Sequence, residues 1–95
     1  MSRSRRKALV HRFKSPDLED PERGGRVVPR KIGNIPRLAV LLGMIENLYW
    51  EIYNHCLGDK TVEQLAADMD IEPAFMRIFI DKLYKNGLVT LASPN

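Results

Sequence analysis

Residues 61–89 read TVEQLAADMDIEPAFMRIFIDKLYKNGLV, and the punctuation of this stretch predicts two short helices followed by a strand. Thr61 precedes an apolar pattern and is followed three residues later by Gln64, the spacing of a capping box. In a capping box the Thr61 hydroxyl accepts from the Gln64 amide, and the Gln64 side chain bonds back to the amide of Thr61. Val62, Leu65, Ala66 and Met69 recur at helical spacing, which predicts a helix over 62–69 with one buried face. Asp68 and Asp70 favour a turn, and Pro73 suits the first position of a new helix, where its missing N–H has no partner. Met76, Ile80 and Leu83 share one face of a second helix over 74–86. Asn86-Gly87 stops it, because glycine enters the left-handed region without penalty. Leu88 to Leu91 suits a strand.

Helix, tight turn, helix and glycine stop make a helix-turn-helix pattern. The stretch resembles the winged-helix branch of that superfamily and is similar to the multidrug- and arsenic-response regulators. Leu65-Ala66, Ile71 with Pro73, Lys82-Leu83 and Asn86 to Val89 carry the resemblance. They lie within residues 61–91, about a third of the chain. The resemblance implies that the outward positions of the later helix, near Ala74, Phe75, Arg77, Ile78 and Lys82, face a major groove. It also implies a wing, a hairpin whose second strand follows the first, yet only four residues follow Leu91. The expected fold class is therefore all-α, or α with one short terminal strand. Its form is a three-helix helix-turn-helix, like a truncated winged helix, with a basic amino-terminal arm.

Charge divides the 95 residues into two materials. Residues 1–37 carry a balance of +7 and residues 38–95 a balance of −4, together the +3 of the whole chain. The expected organisation is a basic, Pro/Gly-punctuated arm over 1–33 and a helix-turn-helix domain over 34–95. A domain of about 60 residues is a size at which burial only just offsets chain entropy. The third and longest helix is expected over Asn34 to Cys56, where Leu38, Leu41, Leu42, Ile45, Leu48, Tyr49, Ile52, Tyr53 and Cys56 fall within an arc of about 140°. The expected core is Leu38, Leu42, Ile45, Tyr49, Ile52, Leu65, Met76, Ile80, Leu83 and Leu88.

Catalysis finds little to stand on. His55 and Cys56 are neighbours, and adjacent helical residues point about 100° apart. Cys56 falls on the apolar face, as a small buried residue would. His11, His55 and Cys56 are too few to ligate a metal, and Gly24-Gly25 lacks the spacing of a phosphate loop. The expectation is a non-enzyme with no cofactor, no metal and no small-molecule ligand. A single cysteine suits a reducing compartment, so the expected location is the cytoplasm, or the nucleus in a eukaryote. Leu38 to Ile45 is an apolar run of eight residues, whereas a membrane span needs about 20; no membrane partner is expected.

Base-edge recognition needs side chains such as Arg, Lys, Asn or Gln on the reading helix. Residues 74–82 offer Ala74, Phe75 and Ile78 there, with Arg77 and Lys82 as donors, and Arg77, Asp81 and Lys85 read as a solvated salt-bridge row. Phosphate contact is accordingly assigned to Arg3, Arg5, Arg6, Lys7, Arg12 and Lys14 of the arm, with Arg77 and Lys82 as further nucleic-acid-binding residues. Trp50, Phe75 and Ile78 are assigned to a protein interface, with a partner protein or a second copy. The function these assignments imply is a small non-catalytic nucleic-acid-associated protein, its arm gripping DNA or RNA and its helices docking on protein. A sequence-specific DNA-binding transcription regulator is the first alternative. A protein-interaction subunit of a complex is the second.

Overall fold

The computed structural model describes residues 11–92. They run as α1 (Pro16–Glu19), α2 (Pro21–Gly24), β1 (Val28–Lys31), α3 (Arg37–Leu41), α4 (Asn47–His55), α5 (Val62–Met69), α6 (Pro73–Lys85) and β2 (Val89–Ala92). About half of this is helix, and the two strands form one antiparallel sheet.

The stretch from 61 to 89 follows its punctuation. The Thr61 hydroxyl accepts from the Gln64 amide at 3.1 Å, and the Gln64 side-chain oxygen accepts from the Thr61 amide at 2.8 Å. α5 buries Val62, Leu65 and Ala66 and ends at Asp70, whose φ of 57° turns the chain toward Pro73. α6 buries Met76, Ile80 and Leu83 against α5 and α4. Gly87 and Leu88 close it, their amides donating to the carbonyls of Tyr84 and Leu83.

The expected helix over 34–56 is instead two helices, α3 and α4. Gly43 has a φ of 74°. Its amide donates to Val40 O at 3.0 Å and the next amide, Met44, to Ala39 O at 2.9 Å. That double closure ends α3 as firmly as its counterpart ends α6. Apolar side chains on both sides of Gly43 disguise the stop as a continuous stripe. The break also corrects the expected core. Ile52 joins Leu65, Met76, Ile80 and Leu83 in the interior, and Tyr49 and Leu88 pack against it. Leu38 and Leu42, however, are 59% and 64% exposed. Once Gly43 turns the chain, α3 no longer continues the line of α4 over the core.

The arm boundary at residue 33 also shifts. Leu18 and Val27 are fully buried in the core, and β1 pairs with β2 in the register Val28↔Ala92 to Lys31↔Val89. The sheet thus has a strand that precedes α3 to α6, besides the expected terminal one. On its other edge β1 meets residues 56–58: Lys31 N donates to Cys56 O, and Arg30 bridges Leu57. The physical cause lies at the start of α5, whose first amides have no intrahelical acceptors. Val62 N donates to Val27 O at 2.8 Å and Glu63 N to Gly25 O at 2.9 Å. The basic segment therefore completes α5.

Local caps shape this segment. Ser15 caps α1 by accepting from Leu18 N, and Asp20 caps α2 by accepting from Glu22 N and Arg23 N. Those two amides, with Arg23 and Arg26 nearby, hold the Asp20 carboxyl below its ordinary range.

Candidate functional site

α6 carries the residues singled out for function, on two different sides. At about 100° per residue, Arg77 and Asp81 share one ridge, while Phe75, Ile78 and Lys82 lie about 110° further round.

The first ridge is committed within the chain. Asp81 is 0% exposed. Its carboxylate accepts from Lys14 N at 3.0 and 3.1 Å, from Ser15 N at 3.0 Å, and from His11 Nε2 at 2.8 Å. A carboxylate only accepts, so the hydrogen in the last of these bonds rides on Nε2. One turn earlier, Arg77 Nη1 donates to Leu18 O at 2.8 Å and Glu19 O at 3.1 Å, and the guanidinium lies over the Phe13 ring. Asp81 thus holds the amides entering α1, and Arg77 holds the carbonyls leaving it. Four residues along α6 rise about 6 Å, the length of the four-residue α1, so α1 lies antiparallel along this ridge. The charges suit the dipole of α1, anion at its amino end and cation at its carboxyl end.

This corrects the solvated row expected of Arg77, Asp81 and Lys85: only Lys85 is in solvent. Gly24 makes the close fit feasible. A Cβ there would stand 2.6 Å from Arg77 Cδ and 2.7 Å from Leu18 O. Asp81 itself was missed as an anchor, because its partners include backbone amides 66 and 67 positions away, which leave no mark in its own stretch of sequence.

On the other side of α6, Phe75 is 53% exposed and Ile78 half-buried. Phe79 meets Tyr49 edge-on with ring centroids 5.3 Å apart, and the Lys82 ammonium stands 6.0 Å from the Tyr49 ring. Beside them opens a hollow of about 480 Å³ between α6 and the start of α4, lined by Met44, Ile45, Glu46, Tyr49, Lys82 and Leu88 among others. Next to it lies α3 with Leu38, Leu41 and Leu42, followed by Met44, all largely exposed. This apolar face was hidden in the sequence by the reading of Leu38 and Leu42 as core.

Trp50 is turned inward. Its Nε1 donates to Ile35 O at 3.1 Å, and Arg37 lies over the ring at 4.6 Å, so it anchors the chain ahead of α3. Arg12 and Lys14 are exposed on the segment that Asp81 holds, and Arg23, Arg26 and Arg30, not singled out in the sequence, are exposed further along it. Arg3, Arg5, Arg6 and Lys7 lie outside the described residues. Cys56 is buried with its Sγ donating to Ile52 O at 3.2 Å. Burial pushes its thiol up to about 12, against the opposing pull of Lys31. Among the described residues no three His, Cys, Asp or Glu side chains group to hold a metal ion, and no helix is long and apolar enough to cross a membrane.

No family model, curated protein or solved structure matches the chain.

Proposed function

We propose that the chain is a small non-catalytic nucleic-acid-associated protein of helix-turn-helix type. In this reading α5 and α6 are the motif, the basic amino-terminal segment grips phosphate, and the apolar face beside α6 docks on protein. The capping box at Thr61, the left-handed turn at Asp70 and Pro73 at the first position of α6 support the motif. The observation that carries the division of labour is the commitment of Arg77 and Asp81 to α1. A helix whose charged ridge is covered by its own chain has few donors left for base edges. The basic residues, by contrast, stand free on the covering segment. Arg12 and Lys14 follow Arg3, Arg5, Arg6 and Lys7 in the sequence, and the Asp81 latch holds Lys14 and Ser15 to the globule.

The test is binding of the full chain to duplex DNA and to single-stranded RNA, followed by fluorescence anisotropy across a salt series. Six phosphate contacts give a slope of log K against log salt of about −5 on duplex DNA. Replacing Arg3, Arg5, Arg6 and Lys7 together by Ala leaves two and moves the slope to about −2. Unchanged affinity and slope in that variant contradict the reading.

A sequence-specific DNA regulator remains the second reading because Glu72 to Phe75, the first turn of α6, is uncovered. It requires preference for one duplex over unrelated duplexes of at least about 10³, lost on changing Ala74 and Phe75.

A further inference from the structure

We infer that the face formed by α3, the Gly43 turn and the hollow beside Lys82 is a two-fold interface between two copies of this chain. The inference specifies the protein partner in the reading above and is independent of its nucleic-acid half.

α3 is the starting observation. It buries none of its residues, although Leu38, Leu41 and Leu42 sit at the i, i+3, i+4 spacing by which a helix presents one face. Such a stripe ordinarily meets a core. Here Leu41 is 72% exposed and Met44, just past the turn, 75%. With Leu38, Leu42 and Leu48, these side chains present apolar surface on the order of 600 Å², at the upper end of the largest patch on an ordinary monomer. Two copies burying this patch remove about 1,200 Å² from water, the lower end of specific interfaces.

Self-complementarity selects the second copy. A two-fold contact sets each residue of one copy against a different residue of the other, and the reverse pair follows by symmetry. This face carries both parts such a contact needs, the exposed Leu41–Met44 edge and the hollow lined by Ile45, Tyr49 and Leu88. It carries both charges as well. Glu46 and Lys82 line the same hollow, yet no ion pair joins them within the chain. Across a two-fold axis each meets the other's counterpart. Residues 38–45 hold no charge, so two copies approach there without the repulsion expected of a net +3 chain. A lipid surface fits less well, because Glu46 lines the hollow and anionic headgroups would repel it.

The experiment is sedimentation velocity of the full chain over a concentration series, with thermal melting of each variant alongside. Wild type is expected to dimerise, with half-association at about 10–100 µM. Leu41→Glu should weaken association by about 100-fold while leaving the melting curve in place, since Leu41 is in solvent in the single chain. Glu46→Lys and Lys82→Glu should each weaken it separately. Mixing these two single variants should restore it, because the heterodimer then contains both ion pairs. Restoration on mixing is specific to a reciprocal contact. A wild-type chain that stays monomeric at about 0.5 mM, or association indifferent to Leu41→Glu, overturns the inference. So does a monomer that floats with anionic vesicles and loses this property in Leu41→Glu, which would assign the face to a bilayer. Phosphate binding, measured on Leu41→Glu, keeps the two proposals apart: its loss through the arm substitutions bears on the function alone.

Discussion

Residues 13–31 contain nine charged side chains and residues 34–46 contain two, yet the first segment reaches the core and the second lies outside it. Leu18 and Val27 are fully buried, while Leu38, Leu41, Leu42 and Met44 face solvent. The difference lies in the backbone. The carbonyls of Gly25 and Val27 accept the orphan amides of α5, and Asp81 and Arg77 take the two ends of α1. Each of those partners is left unsatisfied if the segment departs, and buried unsatisfied groups are costly. Residues 34–46 close most of their hydrogen bonds on themselves at Gly43, and what holds them near the globule is Ile35 against the core, Trp50 on the Ile35 carbonyl, and Arg37 on Trp50 and Asn47. Hydropathy alone inverts the two segments.

The largest expected effect comes from cutting the first segment loose. Asp81→Ala removes the acceptor for the buried Ser15 amide, the part-buried Lys14 amide and His11 and should cost about 3 kcal/mol. In a domain of this size that is a fall in melting temperature on the order of 15 °C. This would place a charged residue on a level with the core truncation Ile80→Ala, expected at about 2–5 kcal/mol. A loss for Asp81→Ala below about 0.5 kcal/mol, the range of ordinary surface changes, would mean that α1 is not latched. Gly24→Ala should follow at about 1–3 kcal/mol, because a Cβ collides with Arg77 and with the Leu18 carbonyl. Arg77→Ala in the same chain should relieve part of that loss, and simple additivity of the two would show that they do not touch.

On the exposed segment the expectation reverses. Replacing Leu38 and Leu42 together by Ser should change stability by less than about 0.5 kcal/mol each at a concentration where the chain is monomeric. Losses of about 2 kcal/mol or more would return both residues to the core.

A further expectation concerns Cys56. Its folded pKa is raised from 9.0 to about 12 by burial. The stability tied to the protonated thiol is present in full below pH 9 and is lost as pH rises from 9 toward 12. Comparison with Cys56→Ala over that range isolates the contribution. At pH 8 the native thiol should resist alkylation that goes to completion in denaturant, and equal rates would show that Cys56 is accessible.

Much of residues 61–89 was legible because every boundary there carries its own signal: the Thr61 box, Asp70 with Pro73, and Asn86-Gly87. Gly43 carries the same kind of stop, but Leu41, Leu42, Met44 and Ile45 around it make a stripe that continues without interruption. The role of Asp81 was illegible for another reason. Its partners are backbone amides 66 and 67 positions away, and backbone groups leave no trace in composition. The caps at Ser15 and Asp20, each ahead of a proline, were the local clue that the basic segment had structure. Arg77 looked available for nucleic acid for the same reason that Asp81 looked solvated: α1 was missing from the picture.

Native-state hydrogen exchange of the Lys14 and Ser15 amides tests the central claim, that the charged ridge of α6 is occupied by the chain's own amino-terminal segment. Both amides donate to Asp81 alone. They should be protected to nearly the level of the α6 interior and lose that protection in Asp81→Ala. Exchange at the rate of an unstructured peptide in the wild-type chain would contradict the account and return Arg77 to the surface as a candidate reader of DNA.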